Sequence, residues 1–334
     1  MDLQMNFLIR FTVSKLLHLM LLLAAVAVLT FLLVSVSPID PIDAYVGAAR
    51  RVTMTDEQRA LIAQRWGLDQ PLITRFIRWL GQLLQGNLGE SMTYHQSVAA
   101  VIATRFQASL WLMALAWLFS GVFGSTLGIL AGATAGSWCD RLIRLYAYTL
   151  SSAPVFWIAL LLLVIFSVNW QITPICCATP PGVLLQDVTL WQRLHHLILP
   201  ALTLSVIGIG SLALHTREKL VEILQSNYAL FARAQGETTT GIVLHHGLRN
   251  VALPALTLQF VGLSELFGGS VLTEKVFGYP GLGDATVQAA IRSDVPLLVG
   301  IVFFSAIFVF AGNTLADLSY RLIDPRIRIG GIER

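Results

Sequence analysis

The amino-acid sequence predicts an all-α integral membrane protein with six transmembrane helices. Of its 334 residues, 55% are hydrophobic and only 12% are charged, whereas a soluble domain carries about twice that charged fraction. The hydrophobic residues also gather in runs of about 20, the length that a helix needs to cross a hydrocarbon core of roughly 30 Å. The net charge of +3 is too small to indicate a nucleic-acid-binding surface.

The six predicted transmembrane helices follow the longest apolar runs. They cover residues 14–36, 107–133, 145–168, 196–215, 251–272 and 297–320. The first run resembles a signal peptide because Arg10 and Lys15 precede it, but it is longer than a signal sequence and lacks a clear cleavage site. We therefore expect a retained helix. Pro154 and Pro200 are expected to kink the third and fourth helices, since proline removes a helical hydrogen bond.

The distribution of basic residues predicts that both ends of the chain are cytoplasmic. With the N-terminus inside, the inside segments hold twelve Lys and Arg residues, the two short outside loops hold three, and segment 37–106 holds the other seven. Short inside loops are enriched in Lys and Arg. The predicted organisation is a tail and first helix over 1–36, an extracytoplasmic segment over 37–106, a five-helix core over 107–320 with a cytoplasmic loop over 216–250, and a cytoplasmic tail over 321–334.

The extracytoplasmic segment is predicted to contain two short amphipathic helices. Apolar residues recur at helical spacing in TDEQRALIAQRWGLDQPLITRFIRWLGQLL, which begins at Thr55, and the pattern is interrupted at Gly67–Pro71. Thr55 and Gln58 have the spacing of a capping box. We expect these helices to lie on the outer membrane face or on other helices.

The motifs of common enzyme and metal sites are absent from the sequence. None of the three lysines follows a glycine, so a G-K-[ST] phosphate-binding loop is excluded. The pairs His195–His196 and His245–His246 are adjacent, and neighbours on a helix point in directions that suit one metal ion poorly. Cys176–Cys177 could contact a soft metal, and the cysteines show no disulfide-framework pattern. We therefore predict a chain that is not an enzyme and binds no metal or cofactor.

Two carboxylates fall inside predicted transmembrane helices, where burial is costly unless they face protein or water. Asp317 lies four residues before Arg321, which predicts an ion pair on one helix face. Glu265 has no obvious partner in the sequence. It could line a translocation path together with Ser264, or donate or accept a hydrogen bond between helices. An ion-coupled secondary transporter that uses Glu265 and Asp317 is the alternative function, and a membrane scaffold or sensor is a third.

The inside loop between the fourth and fifth predicted helices contains NYALFARAQGETTTGIVLHHGLRNVALP, from Asn227 to Pro254. Its first part predicts a short helix that ends at Gly236, since glycine is the usual residue after a helix C-terminus. Small alanines would allow a partner surface to approach closely, and Tyr228 and Phe231 are candidate anchors. A solvated connection between two membrane helices is the structural alternative.

The loop and several other segments resemble the permease subunits of binding-protein-dependent ABC importers, in the dipeptide, oligopeptide and nickel group. Within the loop the match is ARAQG at Ala232–Gly236 and HHGLRNVALP at His245–Pro254. The other matching segments occur in the family's order and spacing. They are Gly67–Ser91, Ser151–Ser167, Leu197–Ser205, Phe267–Gly283 and Asn313–Arg328.

The resemblance implies a fold, a membrane and a set of partners. The fold would be the type I permease fold, in a multi-pass protein of the bacterial inner membrane. The partners would be a second homologous permease that completes a heterodimer, two ATPase subunits that hold ATP and Mg, and an extracytoplasmic solute-binding protein. The cargo would be a di- or oligopeptide, or nickel or a metal–chelator complex. The residues that would contact the ATPase are Tyr228, Leu230, Phe231, Ala232, Arg233, Ala234 and Gly236.

Overall fold

The computed structural model describes residues 2–36, 55, 57–58, 60–61, 64, 70–180, 182–183 and 187–323. Within these residues, four helices are long and apolar enough to cross a membrane, and there are up to six spans when each of two bent helix pairs is counted as one. The predicted helical membrane fold is therefore confirmed. The count of six and the cytoplasmic position of both chain ends stay predictions.

The described helices and strands are labelled in chain order. They are α1 Asp2–Val36, α2 Leu72–Leu84, β1 Glu90–Ser91, β2 Gln96–Ser97, α3 Val98–Ala133, α4 Trp138–Ser152, α5 Val155–Leu162, α6 Leu190–Leu224, α7 Asn227–Ala234, α8 Thr239–Ile242, α9 Leu248–Val261, α10 Leu263–Val276, α11 Leu282–Ile291 and α12 Val295–Ile323. The segments Leu163–Asn169 and Val243–Gly247 wind as π-helical turns after α5 and α8. β1 and β2 form an antiparallel pair.

Two of the predicted transmembrane helices are broken, one after a proline and one at a glycine. The third is broken at Pro154, which precedes α5, and the helices on its two sides are bent by 109°; the expected effect of this proline is confirmed. Pro200 instead lies inside α6, which continues as one helix from Leu190 to Leu224. The fifth span is broken at Gly262, with a bend of 49° between the helices on either side. This second break was not predicted from the sequence.

The chain folds into two units, one drawn from Met1–Gln107 and Asp284–Phe310 and the other from Ala108–Gly283 and Ala311–Arg334. In the first unit, α2 packs on α1 through Phe76 and Phe31, whose ring centroids are 5.1 Å apart. The buried Asp294 carboxylate accepts hydrogen bonds from the Ser91 hydroxyl at 2.6 Å and the Thr93 backbone N–H at 2.8 Å. This carboxylate therefore attaches the turn after β1 to the start of α12.

The first unit contains both regions in which amphipathic helices were predicted. The backbone N–H of Thr55 donates to Gln58 Oε1 at 3.3 Å, and the backbone N–H of Gln58 donates to Thr55 Oγ1 at 3.4 Å, so the predicted capping box is confirmed. The helix α2 is the second of the two predicted helices.

Near α3, burial raises the pKa of Tyr94 above its usual value, and the Arg105 guanidinium lies 4.8 Å from the centroid of the Tyr94 ring.

The long helix α6 is the centre of the second unit, and two thirds of the residues in its most apolar stretch are buried. Three glycines spaced four residues apart on α3 let the two backbones approach closely. A Cβ atom built on Gly128 would lie 2.5 Å from Thr216 Cβ and 2.6 Å from the Ala213 carbonyl oxygen. Gly124 and Gly132 face Leu212 and Leu220 in the same way. Small residues at such spacing are typical of closely packed membrane helices.

Candidate coupling helix and intramembrane polar site

The short helix α7 lies in the predicted cytoplasmic loop, and its C-terminal end has a clear cause. It begins after Ser226, whose backbone is extended, with φ −71° and ψ 159°. At the other end Gly236 has φ +90°, which glycine adopts without strain. The N–H of Gly236 donates to the Arg233 carbonyl at 2.9 Å, and the N–H of Glu237 donates to the Ala232 carbonyl at 3.1 Å. This is a Schellman helix end, and the predicted helix with a glycine stop is confirmed.

The two faces of α7 differ in burial. Ala229 is fully buried and Ala232 is 8% exposed, and both pack into an apolar cluster with Leu220, Ile242 and Val251. Ala232 therefore anchors α7 to its own unit, although it was predicted from the sequence to contact a partner. The other residues predicted to contact a partner are all exposed: Tyr228, Leu230, Phe231, Arg233, Ala234 and Gly236. Phe231, at 65% exposure, is the most exposed of the large apolar side chains among them.

An ion pair with a buried carboxylate holds the end of α6 from which α7 follows. Asp140, at the start of α4, is fully buried. The Arg217 guanidinium donates to its two oxygens, from Nε at 2.5 Å and from a terminal nitrogen at 2.9 Å. The backbone N–H of Gly136 donates to the same carboxylate at 2.9 Å, and Arg144 Nε lies 3.2 Å from it. Because such bidentate pairs fix geometry as well as charge, α4 and the end of α6 are held in one orientation.

Leu220 connects α7 to two other helices. Its side chain belongs to the cluster that receives Ala229 and Ala232. A Cβ atom built on Gly132 would lie 2.9 Å from Leu220 Cβ, and one built on Gly247 would lie 2.9 Å from Leu220 Cδ1. α3 and the segment before α9 therefore pack against the residue on which α7 rests.

Glu274, near the end of α10, is a buried carboxylate that was not identified from the sequence. It is fully buried and accepts a hydrogen bond from the Ser109 hydroxyl at 2.6 Å, while Ser109 Oγ accepts one from the Leu282 N–H at 2.7 Å. A side chain on Gly281 would overlap the Glu274 carboxylate. The segment FGGSVLTEKVFGYPGLG contains both residues. A glutamate followed by several glycines was the sequence feature that could have indicated a buried carboxylate contacted closely by the backbone.

The loop around Glu274 also perturbs a tyrosine. Burial, and next the negative charge of Glu274, raise the pKa of Tyr279 to about 12. The Tyr279 hydroxyl donates to the Ala108 carbonyl at 3.2 Å. This phenol is therefore a neutral hydrogen-bond donor at physiological pH.

The predicted path residues lie directly after the break in the fifth span. Ser264 donates a hydrogen bond to Asn313 Oδ1 at 2.9 Å, which joins α10 to α12. Glu265 is exposed in the first turn of α10. It lines a cavity of about 110 Å³ whose polar lining also includes Trp117, Ser120 and Gln259. Asp317 is exposed on α12, and the predicted ion pair with Arg321 involves a side chain outside those that the structure describes.

The cysteine pair of the loop before α6 contacts His196, in the second turn of α6. Cys176 and Cys177 form a disulfide between adjacent residues, which was not predicted from the sequence and leaves no thiolate there for a soft metal. His196 Nδ1 lies 3.2 Å from the carbonyl oxygens of both cysteines, and His195 Nε2 lies 2.8 Å from the Ile172 carbonyl oxygen. Among the described residues, no group of three or more His, Cys, Asp or Glu could hold a metal ion.

These features define a class of protein: a helical membrane subunit with bent spans and a short exposed helix on one loop. A family model described as "Binding-protein-dependent transport system inner membrane component" matches residues 124–329, and the model of the corresponding N-terminal region matches residues 5–113. The chain therefore belongs to this family. It is a permease subunit of a binding-protein-dependent ABC importer, as its motifs predicted.

The relatives agree in length as well as in sequence. The chain is 34% identical to the di/tripeptide transport system permease protein DppB of Pseudomonas aeruginosa, over 91% of this chain and 94% of that one. It is 36% identical to the glutathione transport system permease protein GsiC of Salmonella typhimurium, over 96% and 99%. Among solved structures, the inward-facing MetNI methionine ABC transporter matches with a TM-score of 0.53 and 17% identity, over 68% of this chain and 97% of that one. The last likeness shows the shared fold.

Proposed function

We propose that this chain is one half of a heterodimeric permease in a bacterial inner membrane. It works with a second homologous permease, two ATPase subunits that bind ATP and Mg, and an extracytoplasmic solute-binding protein. Membership of the family supports an ATPase and a solute-binding protein as partners in general. The exposed apolar face of α7 is the observation of this chain that carries the ATPase contact.

The coupling surface consists of Tyr228, Leu230 and Phe231 on the exposed side of α7. Burying a phenylalanine side chain contributes about 1.5–3 kcal/mol, and Phe231 is 65% exposed in the single chain. On the opposite face Ala229 and Ala232 rest on the apolar cluster. A partner that contacts Phe231 would therefore push a helix that is packed firmly against its own unit.

Coupling requires that the ATPase contact differ between nucleotide states, since a ligand shifts an equilibrium only through differential affinity. The Asp140–Arg217 pair and the contacts of Leu220 give a displacement of α7 a continuous route into α4, α6 and α3. In our proposal this displacement moves the broken fifth span. Ser264 and Glu265, next to the break at Gly262, then line the translocation path.

The proposed cargo is a small peptide. This follows from the relatives named for di/tripeptide and glutathione transport, at 34% and 36% identity. Nickel or a metal–chelator complex is the other cargo class that the sequence resemblance implies, and neither of these two relatives is named for it.

The coupling surface is tested by Phe231→Asp in the assembled importer. We expect uptake of radiolabelled dialanine and the associated ATP hydrolysis to fall at least tenfold, because the loss of about 1.5–3 kcal/mol corresponds to roughly ten- to a hundredfold in affinity. The control is Thr240→Asp, which places the same charge on an exposed residue of the same loop, beyond Gly236. Membrane levels of both variants should equal that of the unaltered chain. Equal uptake by the two variants contradicts the proposal.

The same assay separates this function from its alternative. An ion-coupled secondary transporter that uses Glu265 and Asp317 would take up dialanine without any ATPase subunit and would lose uptake when the proton gradient is dissipated. We expect the opposite: no uptake after deletion of the ATPase genes.

A further inference from the structure

The cavity beside the break in the fifth span carries a specific recognition chemistry. It has a volume of about 110 Å³, and its polar lining residues are Trp117, Ser120, Ser211, Gln259 and Glu265. We propose that this cavity receives the primary ammonium group of the cargo, with the Glu265 carboxylate and the Gln259 amide oxygen as its acceptors. The inference rests on the proposed function, in which this face of the chain lines the translocation path.

The orientation of the Gln259 amide follows from its partners. Its Nε2 donates to the Trp117 carbonyl oxygen at 2.5 Å and to Ser120 Oγ at 2.8 Å. Because a backbone carbonyl only accepts hydrogen bonds, the atom that faces it must be the nitrogen. Both N–H groups of the amide are then used, and Gln259 can offer only its Oε1 to a ligand.

The donors of the neighbouring side chains are also used inside the protein. Trp117 Nε1 donates to the Gln259 carbonyl at 2.8 Å, and the Ser120 hydroxyl donates to the Trp117 carbonyl at 3.0 Å. In contrast, neither Gln259 Oε1 nor the Glu265 carboxylate accepts a hydrogen bond from any residue that the structure describes. The cavity therefore presents mainly acceptors, with the Ser211 hydroxyl able to serve in either role.

The charge of the lining favours a cation. Glu265 is the ionisable residue of the lining, and no Lys, Arg or His accompanies it. It lies in the first turn of α10, beside the break at Gly262. A peptide carboxylate would be repelled by this lining, whereas a primary ammonium group supplies three donors and a positive charge. The volume admits that group with its adjoining carbon atoms.

A carboxylate at membrane depth is costly unless it faces water, protein or a cation, and Glu265 is exposed in the single chain. A cationic group of the cargo that passes through the path would compensate this charge transiently. The cavity would then recognise what all unmodified peptides share, whatever their side chains.

The test measures the charge preference of the cavity in the assembled importer, reconstituted in proteoliposomes. Ser211 is replaced by Cys in a chain where the exposed free Cys139 is replaced by Ser. The new thiol is treated with 2-aminoethyl methanethiosulfonate, which carries an ammonium group, or with 2-sulfonatoethyl methanethiosulfonate, which carries a sulfonate. In each case the cysteine thiolate forms a mixed disulfide and methanesulfinate leaves. The rate of labelling by the ammonium reagent is divided by that of the sulfonate reagent, and this ratio is compared between the chain with Glu265 and the Glu265→Gln variant.

We expect the ammonium reagent to react faster, and Glu265→Gln to lower the ratio about tenfold, as for the loss of one charge-assisted hydrogen bond of about 1.5 kcal/mol or more. Glu218→Gln, on α6 and outside this cavity, should change the ratio at most about twofold. Dialanine should slow the labelling and N-acetyl-dialanine should not, and Glu265→Gln should remove that difference.

The ammonium site is contradicted if the ratio of labelling rates is the same with Glu265 and with Glu265→Gln, or if dialanine and N-acetyl-dialanine slow the labelling equally. In either case, uptake that still depends on ATP would leave the proposed importer function unaffected. A Ser211→Cys thiol that reacts with neither reagent also contradicts the ammonium site, because the cavity would then be closed to water. Uptake that needs no ATPase would contradict the proposed function whatever the labelling shows.

Discussion

The close approach of α3 to α6 at Gly128 predicts that a single added methyl group destabilises the second unit. In Gly128→Ala the new Cβ atom would lie 2.5 Å from Thr216 Cβ and 2.6 Å from the Ala213 carbonyl oxygen. Carbon atoms in contact normally lie about 3.5–4.0 Å apart, so one helix must move by about 1 Å. The neighbouring contacts of Gly124 and Gly132 with α6 would open at the same time.

The magnitude is the difference between two opposing effects. Overpacking a well-packed interior costs about 1–3 kcal/mol, and alanine in place of glycine in a helix returns up to about 1 kcal/mol. We therefore expect Gly128→Ala to lower the free energy of unfolding by about 1–2 kcal/mol, a factor of roughly 5–30 in the ratio of folded to unfolded protein. Gly268→Ala is the matched control, because nothing lies within 4 Å of a Cβ atom at that position of α10.

The assay is the thermal stability of the detergent-solubilised chain, followed by the loss of its monodisperse peak in size-exclusion chromatography. Gly128→Ala should denature at a lower temperature than the unaltered chain, and Gly268→Ala at the same or a higher temperature. Equal stability of the two variants would refute the argument that α3 and α6 are packed too closely for a side chain.

Two further predictions concern buried polar groups of the second unit. Asp140→Asn should destabilise the chain by about 1–3 kcal/mol, since it leaves the partly buried Arg217 guanidinium without its charged partner; replacing Arg217 by Met in the same chain should recover part of the loss in the same thermal assay. Tyr279 has a pKa of about 12 in the folded chain against about 10 when unfolded, so its contribution is present below pH 10 and is lost as the pH rises towards 12. Tyr279→Phe should remove this part of the alkaline destabilisation, and an unchanged pH dependence would contradict it.

The sequence predicted those elements whose causes are local. Apolar runs indicate helices, the spacing of Thr55 and Gln58 indicates a cap, and Gly236 indicates the end of α7. The break at Pro154 was also predictable, because proline acts on its own helix. The break at Gly262 was not, since glycine within an apolar run is common and the side chain that contacts the backbone beside the bend comes from α3, more than 130 residues earlier, where Trp117 Nε1 donates to the Gln259 carbonyl.

The residues of the candidate site also differ in whether they could be predicted from the sequence. The loop and its exposed residues followed from a contiguous motif. Glu274 and the Asp140–Arg217 pair were missed because their partners are 165 and 77 residues away in sequence. Glu265 was identified from its position in an apolar run, but the acceptor character of its cavity depends on how the Gln259 amide is held. The sequence does not show which hydrogen-bond donors and acceptors of a folded site are already used within the protein.

The packing around Leu220 explains how a push on α7 can reach Glu265 under our proposal. Leu220 lies in the cluster beneath Ala229 and Ala232, and it also contacts α3 at Gly132 and the start of the fifth span at Gly247. Close-packed interiors transmit displacement because they have little free volume to absorb it. α9 would therefore move with α7, whereas α10 begins anew beyond the bend at Gly262. The relative motion is then concentrated at the break, and Glu265, in the first turn beyond it, is where a change in the ATPase would alter the environment of a bound ammonium group.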